Sequence, residues 1–365
     1  MSGGASGLGP LVFEPILKEK VWGHRRLASY GKPLPEGGAL IGESWEIADL
    51  AQTSAGGGGG GEARSVVRAG PAAGTTITEL VRRMGADLLG KARPHRWDDG
   101  DAFPLLVKLL DAGQHLSVQV HPSPAYAEHN PGAHLKTESW VVLEADKAEL
   151  PGGAVVEPGV FNGFAGKHTP ERVRAAAESG AIAPLLNRRE AVVGDCHTLP
   201  SGTCHALGAG VLVAEVQTPS DTTFRVYDWA REYGRAGREL HLDQSLECIG
   251  LEAGGRAGAA VEPRRLDGGA SRGVLARTKH YSIESVRLFE GSTLDLRDVT
   301  WGAFDAQRCA VVMVCRGSAQ AESRSGAWRM TPLAMGTTAL IAASDVADTV
   351  VASDGGAWVL VVRPG

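Results

Sequence analysis

The stretch from Phe103 to Trp140, FPLLVKLLDAGQHLSVQVHPSPAYAEHNPGAHLKTESW, constrains this chain more than any other. Within it Leu116, Val118 and Val120 alternate with Ser117, Gln119 and His121. That is the period of a β-strand, and it assigns the apolar set to a core face and the polar set to the opposite one. A hydroxyl, an amide and an imidazole make a poor solvent face, where Lys, Glu or Thr is usual, and a good lining for a polar cavity. Pro122 ends the strand, and Lys136 and Glu138 then share one face of the next extended piece. An imidazole, an amide oxygen and a carboxylate converging on one point would suit a divalent metal. A hydrogen-bonded polar cluster inside a barrel is the alternative that spacing leaves open.

The rest of the chain reads as many short strands. At 365 residues it exceeds one ordinary core, so two domains, or one with appendages, are expected. Its 49 glycines fit the turn density of an all-β protein. Ile41–Ile47 is a strand with Glu43 and Trp45 on one face, Trp45 serving as a core plug. The six glycines Gly56–Gly61 read as a loop, since no Lys-Ser/Thr follows them to make a phosphate cradle. A helix is expected from Thr78, as cap, to Gly90. Thr169-Pro-Glu-Arg opens another that stops at Gly180. Ala183–Val192 is expected to be a further short helix, making about 165–192 a helical insertion in a β framework.

Asp195–Trp229 is the second chemically loaded region. His205 follows the Pro200–Thr203 turn, Val211–Gln217 is a strand with Val213, Glu215 and Gln217 on one face, Asp221 falls in a turn, and Arg225 lies on the next strand. Glu215 with a nearby arginine could be a structural ion pair or part of a site, and sequence alone leaves both open. After a helix at Asp243–Leu251, residues 253–273 look like a Gly/Arg-rich linker. Strands at Tyr281–Leu288, Ala310–Cys315, Thr338–Ile341 and Trp358–Val362 then suggest a second barrel or sandwich without chemistry of its own.

Composition narrows the partners. With 37 Lys and Arg against 42 Asp and Glu, the net charge is −5, and no basic stripe marks a nucleic-acid surface. The longest apolar runs are strand-sized, too short for a membrane span. Residues 1–10 read as a flexible start without a signal peptide, and five scattered cysteines without a CxxC point to a reducing cytoplasm.

Several motifs stand in a telling order: Trp22-Gly23, Gly42-Glu-Ser-Trp-Glu46, Phe103-Pro-Leu-Leu-Val-Lys108, Leu116–Pro122, Lys136-Thr-Glu138, Gly202-Thr-Cys-His-Ala206 and Ser220–Trp229. In this order they resemble the type I mannose-6-phosphate isomerases, most closely the shorter bacterial members, over about residues 11–250. The resemblance implies a mainly β fold of two cupin-type jelly-roll barrels with a small helical insertion. The metal-bearing catalytic domain would span residues 11–252 and a metal-free barrel residues 274–365. It also implies one Zn2+ per chain held by Gln119, His121, Glu138 and His205, with Lys136, Glu215, Asp221 and Arg225 as catalytic residues. The implied reaction interconverts mannose 6-phosphate and fructose 6-phosphate through a cis-enediol, with a sugar phosphate as partner and no obligatory protein partner. Two departures, His24 for a glycine and Cys204 for an aliphatic residue, touch none of the implied ligands. A cupin iron oxygenase would want two His and one carboxylate without Gln119, Lys136 and Arg225. A non-catalytic sugar-phosphate-binding cupin would be expected to have lost ligands, and all four are present.

Overall fold

The computed structural model describes residues 7–54, 59–251, 264–299 and 307–365. Residues 1–6, 55–58 and 252–263 fall outside these, and with them much of the expected flexible start, glycine loop and linker. The chain is mainly β. Its first part folds into two antiparallel sheets. The six-stranded sheet runs in the order Cys196–Leu199, Glu138–Ala145, Val211–Gln217, Leu106–Asp111, Ile41–Ile47 and Ile16–His24. The five-stranded sheet runs Leu186–Glu190, Gly159–Phe164, His205–Leu207, Val118–Val120 and Phe224–Tyr227. A third, ten-stranded sheet collects all the described strands from Arg264 onward together with Leu11–Val12, with Ala310–Ser323 and Ala357–Pro364 at its centre. No helix among the described residues is long and apolar enough to cross a membrane.

Alternation sorts the core. In the Glu138–Ala145 strand, Val141 and Leu143 pack with Ile283, Val311 and Leu360 of the C-terminal sheet, whereas Trp140 and Val142 face the space between the two N-terminal sheets. The six-stranded sheet is therefore covered on both faces, which explains its long apolar runs. A buried hydrogen bond of 3.0 Å between Ser139 Oγ and Tyr281 OH crosses the same interface. Gly23 and Gly42 allow a close approach here: a Cβ on Gly23 would lie 2.6 Å from the Gly42 nitrogen, and one on Gly42 would lie 2.7 Å from the Trp22 ring. Any side chain would push the first two strands apart.

Several sequence expectations need correction. The first helix begins at Ile77 with Thr76 as its cap, in a capping box with Glu79, and it breaks at Gly85, where φ is 51°, before a short turn Ala86–Leu89. Thr78 instead turns inward to Asp49 and accepts a 2.7 Å hydrogen bond from Arg64. The second helix, Pro170–Ser179, has its Thr169 cap and a left-handed Gly180 stop as expected. Ala183–Leu185 is only a 3-10 turn, and Leu186–Glu190 is a strand paired with Gly159–Phe164, not a helix. The described part of the expected linker is also structured, with strands Arg264–Arg265 and Ser271–Arg277 in the C-terminal sheet. Leu116 precedes the strand proper and lines the cavity beside Ser117 and Gln119 instead of joining Val118 and Val120 on the far side.

Candidate metal and sugar-phosphate site

Strand register builds the site. Asn162, His205, Gln119 and Arg225 are successive cross-strand partners in the five-stranded sheet. His197, Trp140, Glu215, Lys108 and Trp45 are successive partners in the six-stranded sheet. Directly opposed residues project to the same face, so each sheet turns one polar row inward. The rows meet where the Trp140 and His205 rings lie edge to face, 5.3 Å apart. A cavity of about 540 Å³ opens above them, and Gln119, Lys136, Glu215, Asp221 and Arg225 all line it.

Next to Gln119 and Lys136 of that lining, His121, Glu138 and His205 come together, all buried, each with a ligating atom within 4.8 Å of the others. His121 Nδ1 lies 2.9 Å from the Thr222 carbonyl oxygen, and His205 Nδ1 lies 2.8 Å from that of Thr203. A carbonyl only accepts, so Nδ1 carries the proton in each ring and Nε2 keeps a lone pair in the neutral imidazole. Burial, then repulsion from Lys136, pushes the His121 pKa down to about 3, so that ring stays neutral. His121 Nε2 nevertheless lies 3.4 Å from Glu138 Oε2, and His205 Nε2 lies 3.0 Å from Glu138 Oε1. The bare His121 lone pair facing a carboxylate at that distance repels it unless a cation sits between them. His121 Nε2 and both Glu138 oxygens also lack an ordinary hydrogen bond. The donor set therefore fits a divalent metal, with the backbone carbonyls fixing the tautomers as outer partners do around histidine-bound metals. Gln119 stands at the edge of the cluster, its amide 3.2 Å from His205 Nε2. Rotating that amide by 180° would turn its oxygen toward the same point.

Charge is layered above the cluster. Lys136 Nζ lies 2.7 Å from Glu138 Oε2 and 3.9 Å from Glu215 Oε1. The Glu138 carboxyl is buried, which alone would raise its pKa, but Lys136 and His121 hold it well below the ordinary carboxylate range. Glu215 goes the other way: burial raises its pKa despite Lys108 at 3.2 Å, and it accepts a 3.0 Å hydrogen bond from the Trp140 indole. Lys108 bridges to Glu43 at 3.5 Å, and Glu43 also meets Lys20 at 3.3 Å. On the opposite wall Arg225 donates to the Glu239 carbonyl at 2.7 Å, with its Nε 3.8 Å from Asp228. Asp228 is gripped by Arg235 and Arg238, and Arg238 also lines the cavity. Burial, then repulsion from Arg238, lowers the Arg225 pKa.

The structure gathers all eight residues singled out from sequence, though Asp221 stands apart from the metal cluster, with its carboxylate on Ser54. Lys20, Glu43, Lys108 and Arg238 were missed. Lys108 carried a signal, a lone lysine amid an otherwise apolar strand, LVKLLD.

Residues 13–165 match the family described as phosphomannose isomerase type I, catalytic domain. Over 243 residues the chain is 38% identical to the mannose-6-phosphate isomerase ManA of Bacillus subtilis, covering 66% of this chain and 68% of that one. It is 36% identical to the mannose-6-phosphate isomerase of Streptococcus mutans over the same length, 67% of that protein. The crystal structure of the mannose 6-phosphate isomerase from Bacillus subtilis is similar throughout, with a TM-score of 0.77 at 25% identity, covering 97% of this chain and 99% of that one.

Proposed function

Since the chain belongs to the type I phosphomannose isomerases, we propose that it is a zinc-dependent aldose–ketose isomerase that interconverts D-mannose 6-phosphate and D-fructose 6-phosphate through a cis-enediol. The observation that carries this is the convergence of two buried imidazoles and one buried carboxylate beside a cavity whose wall presents Lys136, Arg225 and Arg238. His121, Glu138 and His205 would hold the zinc, with Gln119 as fourth ligand. When bound, zinc would polarise the sugar's C1 and C2 oxygens and stabilise charge that develops on them.

The protein's own groups do the rest. Lys136 and Glu215, within 4 Å of each other, form the pair that carries a proton between C1 and C2. Glu215 is aimed by the Trp140 indole and Lys108, so its carboxylate is held in place before substrate arrives. Arg225 and Arg238 present two guanidinium groups on the far wall, a geometry suited to the phosphate dianion. Their mutual repulsion is offset in the free protein by Asp228.

The two N-terminal sheets are read as a cupin-type jelly-roll barrel within residues 11–252 and the C-terminal strands as a second, metal-free barrel over 274–365. Leu11–Val12 pairs into the latter and so crosses the boundary, and Arg264–Arg265 of the expected linker joins it as well. All five cysteines are free and buried, in keeping with a cytoplasmic enzyme.

The test is a coupled assay on mannose 6-phosphate with metal analysis of the same sample. Turnover with about one zinc per chain, abolished by a chelator and restored by zinc, is the expected result. Oxygen uptake without sugar phosphate, or turnover untouched by complete metal removal, would overturn the reading.

A further inference from the structure

We propose that Asp221 is a positioning residue that clasps the Thr53–Ser54 segment against the rim of the cavity, and is not the base of the isomerisation. This rests on the isomerase reading above. Asp221 is 9% exposed, and Ser54 engages both of its oxygens. Oδ2 accepts from the Ser54 backbone N–H at 2.8 Å and from its hydroxyl at 3.0 Å, while Oδ1 lies 3.0 Å from the same N–H. A base needs an oxygen directed at the substrate carbon, and these are directed at the loop.

What Asp221 clasps is itself a knot. Thr53 N–H and Oγ1–H both donate to the Gly61 carbonyl, at 2.9 and 2.7 Å. Gly60 N–H donates to Thr53 Oγ1 at 3.2 Å, and Gly59 N–H donates to the Ser54 carbonyl at 3.0 Å. Gly59–Gly61 are thus tied back onto Thr53 and Ser54, and Ser54 is tied to Asp221.

Two further observations give the clasp a function. Ser54 and Asp221 line both the main cavity and a second one of about 200 Å³ that also borders Trp97 and His134. The pair is therefore a partition, and it sets how far the sugar-phosphate cavity extends on that side. The next residue, Thr222, supplies the carbonyl that accepts from His121 Nδ1. Fixing the turn at Asp221 thereby steadies the carbonyl that orients a metal-facing imidazole.

The experiment is a double-mutant cycle with Ser54→Ala and Asp221→Asn, read by steady-state kinetics on mannose 6-phosphate and by amide hydrogen exchange. A clasp predicts that each variant raises KM by about tenfold, as expected for losing a hydrogen bond to a charged group, with kcat within about threefold. The double variant should be little worse than the worse single one, since both weaken the same link. The Ser54 and Gly59–Gly61 amides should exchange faster in all three, and Ser54→Thr, which keeps the hydroxyl, should restore the wild-type values. A fall in kcat of more than about a hundredfold in Asp221→Asn, with Ser54→Ala close to wild type, is the signature of a base and would overturn the proposal. Unchanged exchange in both single variants would also overturn it. An inactive wild-type protein would sink the isomerase reading, and the exchange measurement would still decide the clasp.

Discussion

Arg363 in the C-terminal sheet and His121 in the N-terminal part are each only 1% exposed, yet their polar atoms fare differently. Arg363 donates to the carbonyls of Leu296 at 2.6 Å and of Val299 and Arg308 at 2.9 Å. His121 spends one nitrogen on Thr222 and leaves the other facing Glu138 without a hydrogen bond. Around Arg363 the inner face is largely apolar, with Val312, Val314, Val359 and Val361, and the buried carboxylate nearby, Glu284, is itself paired with Arg272. Around His121 the inner rows carry Glu215, Lys108, Gln119 and Arg225. Burial of a polar group therefore says little by itself. Saturated by backbone, it is a brace; left with converging lone pairs, it is a place for a ligand.

The sharpest way to break this contrast is at the lone pairs. His121→Ala and Glu138→Ala should each lose bound zinc together with at least about a thousandfold in activity, and Gln119→Ala should do less, since a neutral amide oxygen is the weakest donor. Full activity in the His121 variant, or one zinc per chain in a variant lacking both His121 and His205, would remove the site as drawn. Metal analysis beside turnover measures both.

Glu215→Gln keeps the shape and the Trp140 hydrogen bond but removes the charge. Turnover should fall by about 10²–10⁴, the usual contribution of a positioned acid or base, with zinc content normal. A loss confined to stability would return Glu215 to the role of ion-pair partner for Lys108.

Arg225→Ala should cost about a hundredfold in kcat/KM, roughly 3 kcal/mol, and Arg225→Lys less. A phosphate clamp raises KM, while a group that stabilises the enediolate lowers kcat. Wild-type kinetics in both would make Arg225 another Arg363, a brace.

Arg363→Met is the control from the other half. It leaves three carbonyls without their donor and should destabilise the protein by roughly 3 kcal/mol, read by denaturant unfolding. Activity per folded molecule should stay within about twofold. A hundredfold loss without unfolding would mean that the C-terminal sheet takes part in the chemistry.

Much of the site was legible because β alternation is local. Once Gln119 and His121 fall on one face, and Lys136 and Glu138 on another, which way they point follows from the period of two. Their neighbours across the sheet do not. Lys108 meets Glu215, and Glu43 meets Lys20 and Lys108, through register between strands distant in sequence. For the same reason Leu186–Glu190 passed for helix, since its strand character comes from pairing with Gly159–Phe164. The Thr76 cap is a different kind of miss. Thr76-Ile-Thr-Glu79 is a capping-box pattern in plain sequence, and the threonine two positions later masked it. Asp221 shows a third limit: sequence places its carboxylate near the site but does not show the Ser54 backbone amide from which it accepts.

The pairing of Leu11–Val12 with Thr338–Ile341 has a consequence for the order of synthesis. The segment made earlier meets this sheet partner only once everything between the two has been made. At roughly 5–20 residues per second, the intervening stretch of about 300 residues keeps it waiting some 15–60 s. Its other side is met much sooner, by Arg68, whose N–H donates to the Val12 carbonyl at 2.8 Å. Through that interval the edge awaiting Thr338–Ile341 stays open to any extended segment nearby, and a chain released before that strand is made can never close it.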